Sequence, residues 1–204
     1  MNKRGIFLET ALNRTFVSLY EDDKILHTKY SLLDFKSDNT YVYDISLMLE
    51  ECSIKLPSIN EVIVVNGPGY FTGIRAGIMI TKALFYVFNF KVLIIDSFSF
   101  LRGCLNWKDD CVIIISASKR DCFISYFKEF NRVKDAIFPI EELSKLNKDF
   151  KLFTESPLIS STYSIELVEP GPVLGFRFDF ARTVDEIAPF YMRSEENLFH
   201  SKIR

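Results

Sequence analysis

A chain of 204 residues with 25 basic and 27 acidic side chains carries a net charge of −2. That length buries a sizeable core as one domain or as two small lobes. The even charge balance, without a long run of one sign, excludes an unaided electrostatic grip on nucleic acid, so any RNA contact would be shared with a partner. Cys52, Cys104, Cys111 and Cys122 lie far apart without a C-x-x-C pair, and only a few apolar residues separate the opening Met-Asn-Lys-Arg-Gly from Glu9. Free thiols in a reducing cytoplasm are therefore expected, without a signal peptide. His27 and His200 stand alone in sequence, which argues against a histidine-based metal site, and no metal is expected.

The chain opens with three β-type runs, Gly5 to Leu8, Thr15 to Tyr20 and Lys24 to Tyr30, separated by polar turns at Asn13-Arg14 and Glu21-Asp22-Asp23. The expectation is an antiparallel meander. The period then changes. Val42, Ile45, Met48, Leu49 and Cys52 fall at helical spacing after a cap candidate at Asp38 or Thr40, and Pro57 closes the segment. The apolar stripe of this helix is read as core. A strand at Val62 to Val65, a second helix, a strand at Val92 to Ile95 and a short helix through Phe98 to Leu101 follow, giving the order βββαβαβ.

Asn66-Gly67-Pro68-Gly69-Tyr70-Phe71-Thr72-Gly73-Ile74-Arg75-Ala76-Gly77 joins the strand to the second helix. Glycines flanking a proline permit a tight turn, and Thr72 is the N-cap candidate. Such a turn can aim free amides at an anion or simply connect a strand to a helix. No Gly-Lys-Ser/Thr follows, and the glycine spacing misses the dinucleotide fingerprint by one residue, so neither common phosphate motif is present. From Ala76 to Phe90 only Thr81, Lys82 and Asn89 are polar. One face of that helix suits a sheet, and the rest needs cover from elsewhere in the chain or from a second protein. A membrane is set aside because the run falls short of roughly 20 residues and Lys82 sits in its middle.

The polar hinge Asn106-Trp107-Lys108-Asp109-Asp110 marks a boundary between lobes 1–105 and 106–204. Beyond it Val112 to Ile115, Asp121 to Lys128 and Arg132 to Phe138 read as a second meander. A shift of 106 positions lays Thr10 on Ser116, Asn13-Arg14 on Lys119-Arg120, and Tyr20 on Tyr126. The predicted fold is α/β, similar to the actin-like (ASKHA, ribonuclease H-like) architecture, with duplicated βββαβα lobes and mixed sheets. In that architecture nucleotide sits between the lobes, held by hairpin-turn amides and by acids that bind Mg²⁺. Here neither the turn Glu9-Thr10-Ala11-Leu12-Asn13-Arg14 nor the turn Ser116-Ala117-Ser118-Lys119-Arg120 contains glycine, and the second lacks a carboxylate until Asp121. Glu9 is a lone acid, read as a partly exposed strand end. No catalytic residue is assigned.

Residues Gly67 to Gly77 closely resemble the signature G-P-G-S-F-T-G-L/I-R-x-G of the bacterial TsaB (YeaZ) family of tRNA threonylcarbamoyladenosine biosynthesis proteins, with Tyr70 in place of serine. The related TsaD also carries Gly-Pro-Gly, but the Phe-Thr-Gly and Arg75 point to TsaB. Weaker likenesses are Ile6 to Thr10 to the family's opening strand, Ser97-Phe98 to its Ser-Ser/Thr-Leu, Ser116 to Phe123 to Asp-Ala-Arg-x-x-Glu-Val-Tyr, and Pro189 to Arg193 to Pro-x-Tyr-Leu-Arg. Glu9, Ser116 and Ser118 depart from the family's aspartate, aspartate and arginine.

The resemblance implies a non-catalytic degenerate paralogue that binds and supports the transferase TsaD, with the ATPase TsaE and tRNA reached through the complex. It implies no cofactor held by this subunit alone, ATP or ADP at most at the joint with the partner, and pairing through the two first-lobe helices. Ile45, Met48, Leu49 and Cys52 of the first, and Ala76, Met79, Ile80, Ala83 and Tyr86 of the second, are the interface candidates, with a homodimer expected when TsaD is absent. Asn66, Gly67, Pro68, Gly69, Phe71, Thr72, Gly73 and Arg75 are the loop-motif candidates; Arg75 could contact the partner or satisfy a group within the chain. The alternative is a small-molecule kinase or ATPase of the same fold.

Overall fold

The computed structural model describes residues 3–32, 40–146, 149–175, 179–181 and 183–192. β1 (Arg4–Glu9), β2 (Arg14–Glu21) and β3 (Lys24–Leu32) form the first meander. α1 (Tyr41–Glu51) crosses to β4 (Glu61–Val65), parallel to β1, and α2 (Phe71–Phe88) crosses to β5 (Lys91–Ile95), parallel to β4. α3 (Ser97–Cys104) leads to β6 (Cys111–Ser116), β7 (Asp121–Lys128) and β8 (Asn131–Pro139), the second meander. A 3₁₀ stretch, Ile140–Lys145, then stands in the sequence position of α1. β9 (Lys151–Thr154) pairs parallel with β6, and α4 (Pro157–Tyr163) precedes β10 (Glu166–Leu167), parallel to β9.

The strand orders β5-β4-β1-β2-β3 and β10-β9-β6-β7-β8 are the same order twice. Both meanders slip register at the same place, between Leu19 and Tyr20 and between Tyr126 and Phe127. The expected α/β fold of duplicated lobes with mixed sheets is what the chain adopts. One strand crosses between lobes: β11 (Asp179–Ala181) pairs antiparallel with β5 at the outer edge of the first sheet.

Strand alternation sorts the side chains into three layers. Ile6 and Leu8 face α1 and α2 together with Val62 and Val64, whereas Phe7 faces the second lobe with Ile63 and Val65. Cys111, Ile113 and Ile115 meet them from β6, and Val112 and Ile114 turn to the far side. The middle layer is aromatic; Phe7 meets Phe16 and Phe100 edge-on at centroid separations of 5.2 and 5.6 Å. A continuous core thus runs between the sheets.

The helix ends differ from expectation for local reasons. The amide of Tyr70 donates to the Ala11 carbonyl at 2.7 Å, which holds Tyr70 extended as the N-cap, and α2 begins at Phe71 without a side-chain cap. Thr72 therefore lies inside the helix and does not cap it. Asn89 adopts a left-handed conformation with φ 53° and ends α2 at Phe88. Thr40 precedes α1 but spends its hydroxyl on the Asp44 carboxylate, 2.8 Å away; Asp38, the other cap candidate, lies outside the described residues. At 18 residues α2 is long and apolar enough to cross a membrane by length and composition alone, so its length does not dismiss one. In the fold it lies on β4 and β5 through Ile74 and Ile78.

Candidate functional site

The loop-motif residues come together as a structural hub. Gly67 has φ +109°, and a side chain there would meet the carbonyl of Phe190. At Gly69 a Cβ would run into the carbonyl of Ala11. The Thr10 hydroxyl donates to the Gly73 carbonyl at 2.7 Å, so the loop grips the first hairpin turn on both sides. The Asn66 amide donates to Ile95, its side chain donates to Ala188, and its carbonyl accepts from Phe190. The Gly67–Pro68 bond is cis. Arg75 lies 3.9 Å above the Phe71 ring and reaches the Tyr191 hydroxyl at 3.4 Å. Phe71 and Tyr191 are themselves stacked. Arg75 thus has partners within its own chain.

Beneath the loop, the first turns of the two lobes meet over buried carboxyl groups. Glu9 is 0% exposed, contrary to its reading as a partly exposed strand end. It ends β1 pointing into the joint, where its Oε1 accepts from the amides of Ala11 and Leu12 at 2.7 and 3.0 Å. Its Oε2 is buried without a hydrogen-bond partner. Nor is it a lone acid. Glu155, 2% exposed at the end of β9, accepts from Asn13 on Oε2 at 3.2 Å and from Ser116 on Oε1 at 3.1 Å. Tyr70 makes a side-chain hydrogen bond with Ser116 across the joint.

Burial pushes the Glu9 carboxyl up to about 8, against the opposing pull of the Ala11 and Leu12 amides, and nearby Glu155 raises it further. Burial likewise pushes Glu155 up to about 7, opposed by the amides of Ser116 and Asn13. No group of three or more potential metal ligands occurs among the described residues. Sequence reasoning missed Glu155 because it lies far along the chain from the turn it serves. The available signal was the repeat, since Glu155 follows β9 as Asn66 follows β4.

The second candidate surface lies between α1 and α2. An apolar groove of about 580 Å³ is lined by Val42, Ile45, Leu49, Met79, Ile80 and Ala83, with Ser46, Leu56 and Leu84 completing it. Ile45 and Leu49 contribute to it while buried mainly in the lobe core. Met48 is 1% exposed and offers almost no surface to a partner. Cys52 and Ala76 pack partly against the same core. Met79 and Tyr86, 67% and 83% exposed, project from the outer face of α2.

The two-lobed fold and its joined first turns define an actin-like α/β protein. Residues 44–181 match the family model described as TsaD, tRNA N6-adenosine threonylcarbamoyltransferase, and the chain belongs to that family. Its fold is similar to that of YeaZ from Pseudomonas aeruginosa, with a TM-score of 0.69 at 14% identity over 93% of this chain and 100% of that one. A second structure, described as an uncharacterized protein with similarity to peptidase YeaZ from the same organism, gives a TM-score of 0.69 at 14% identity over 94% and 100% of the two chains. No curated protein matches the sequence significantly.

Proposed function

We propose that this chain is a TsaB-like, non-catalytic partner of the transferase TsaD in the formation of threonylcarbamoyladenosine on tRNA. The observation that carries the reading is the apolar α1–α2 groove with Met79 and Tyr86 standing out beside it. An unpartnered apolar helix face of this kind calls for a protein partner. Membership in the TsaD family, together with the TsaB-type motif at Gly67–Gly77, makes a TsaD paralogue the occupant of choice. The family's own work, tRNA modification, supplies the context.

The polar groups argue in the same direction. Ser116 stands where the family signature carries aspartate, Glu9 and Glu155 are engaged by backbone amides, and the sequence has no His-x-x-x-His. The chain therefore supports a catalyst and does not act as one. Reconstituted threonylcarbamoylation of tRNA with the cognate TsaD tests this. Activity should appear only when this chain is present, and full activity without it would overturn the proposal.

A further inference from the structure

Backbone amides that converge on one point form an anion site, and at the lobe joint Asn13 and Ser116, from different lobes, converge on the same carboxylate. The two oxygens of Glu155 take one amide each, at 3.2 and 3.1 Å. Ser116 is also tied to Tyr70. We propose that Glu155 is a built-in anion that latches the lobes together by occupying the turn amides a nucleotide phosphate would need. The two turn amides that would meet a nucleotide phosphate therefore already have their acceptor within this chain.

The geometry also distributes the proton. Both Glu155 oxygens act as acceptors, which suits the ionised form. In Glu9 one oxygen takes both donors and the other, Oε2, is buried without a partner, which suits a proton on Oε2. Between about pH 7 and 8 the pair thus holds a single negative charge, placed where it bridges the lobes. The titratable groups acting on it are Tyr41 from α1 and Cys104 from α3 beside Glu9, and Tyr70 from the loop beside Glu155.

This latch is independent of which protein covers the α1–α2 groove. Hydrogen exchange of the full chain tests it, read at the amides of Asn13 and Ser116, with Val17 and Ile63 as core controls. Glu155→Ala should speed exchange at both joint amides by roughly 10-fold and leave the controls unchanged. Glu155→Gln, the variant to read if Glu155→Ala does not fold, keeps one acceptor oxygen and should release one of the two amides. Titration with Mg-ATP should show no binding to the wild-type chain. Unchanged exchange at Asn13 and Ser116 in a folded variant, or Mg-ATP binding to the wild type, would overturn the latch. Neither result bears on complex formation with TsaD, so the two proposals fail separately.

Discussion

Two acids buried together must share their charge, and this makes the stability of the fold depend on pH. The folded-state pKa of Glu9, about 8, and of Glu155, about 7, both lie above the ordinary carboxyl value of 4.5. Between those values the folded chain holds more protons than the unfolded one, so the contribution is fully present below about pH 4.5 and is lost as pH rises towards 8. The melting temperature should accordingly fall from pH 5 to pH 8, and Glu9→Gln, which keeps an acceptor without an ionisable group, should flatten that slope. A slope unchanged in Glu9→Gln would refute the assignment. Gly69→Ala drives a Cβ into the Ala11 carbonyl and should destabilise by about 1–3 kcal/mol, read as a fall in melting temperature of roughly 2–4 °C per kcal/mol. The glycine turn was legible because Gly-Pro-Gly is local chemistry. The burial of Glu9 was not, since it depends on Glu155 and Tyr70 arriving from distant parts of the chain.

At the scale of elements, α2 joins a strand edge to an open surface. Its inner face, Ile74 and Ile78, belongs to the lobe core, while Met79, Ala83 and Tyr86 remain outside. An all-round apolar pattern could announce that a second cover is needed, but which face meets the sheet depends on how the Gly69–Ala11 contact sets the helix. Ile78→Ala should remove about 2–5 kcal/mol of stability. By contrast Ala83→Glu, on an exposed position, should change stability by no more than about 0.5 kcal/mol yet weaken TsaD binding at least ~10-fold by burying a charge in the interface. Thermal melting paired with a binding titration separates the two effects. On α1 the helical spacing marked the apolar stripe as core, and Ile45, Met48 and Leu49 are buried there; it was the family resemblance that put Met48 among the interface candidates.

For the molecule as a whole, duplication explains the architecture. Two meanders whose strands and register slips lie 107 positions apart, one more than the sequence alignment of Tyr20 on Tyr126 supposed, produce the same strand order and bring both first turns to one joint. That plan was readable from residues 1–138, where strand and helix periods alternate cleanly. It was not readable in the C-terminal stretch, where β11 pairs with β5 and Ile187 enters the first-lobe core at 0% exposure. Contacts of that kind depend on the completed sheet edge rather than on local pattern. The Pro189–Tyr191 portion of the closing motif then has a physical role, since Phe190 and Tyr191 lock onto Asn66 and Arg75. At this scale the proposed function rests on the open α1–α2 face. Light scattering on this chain mixed with its cognate TsaD is the most direct trial of that account. A complex with the summed mass of one copy of each, abolished by Ala83→Glu, is the predicted result; two species scattering independently at micromolar concentration would contradict it.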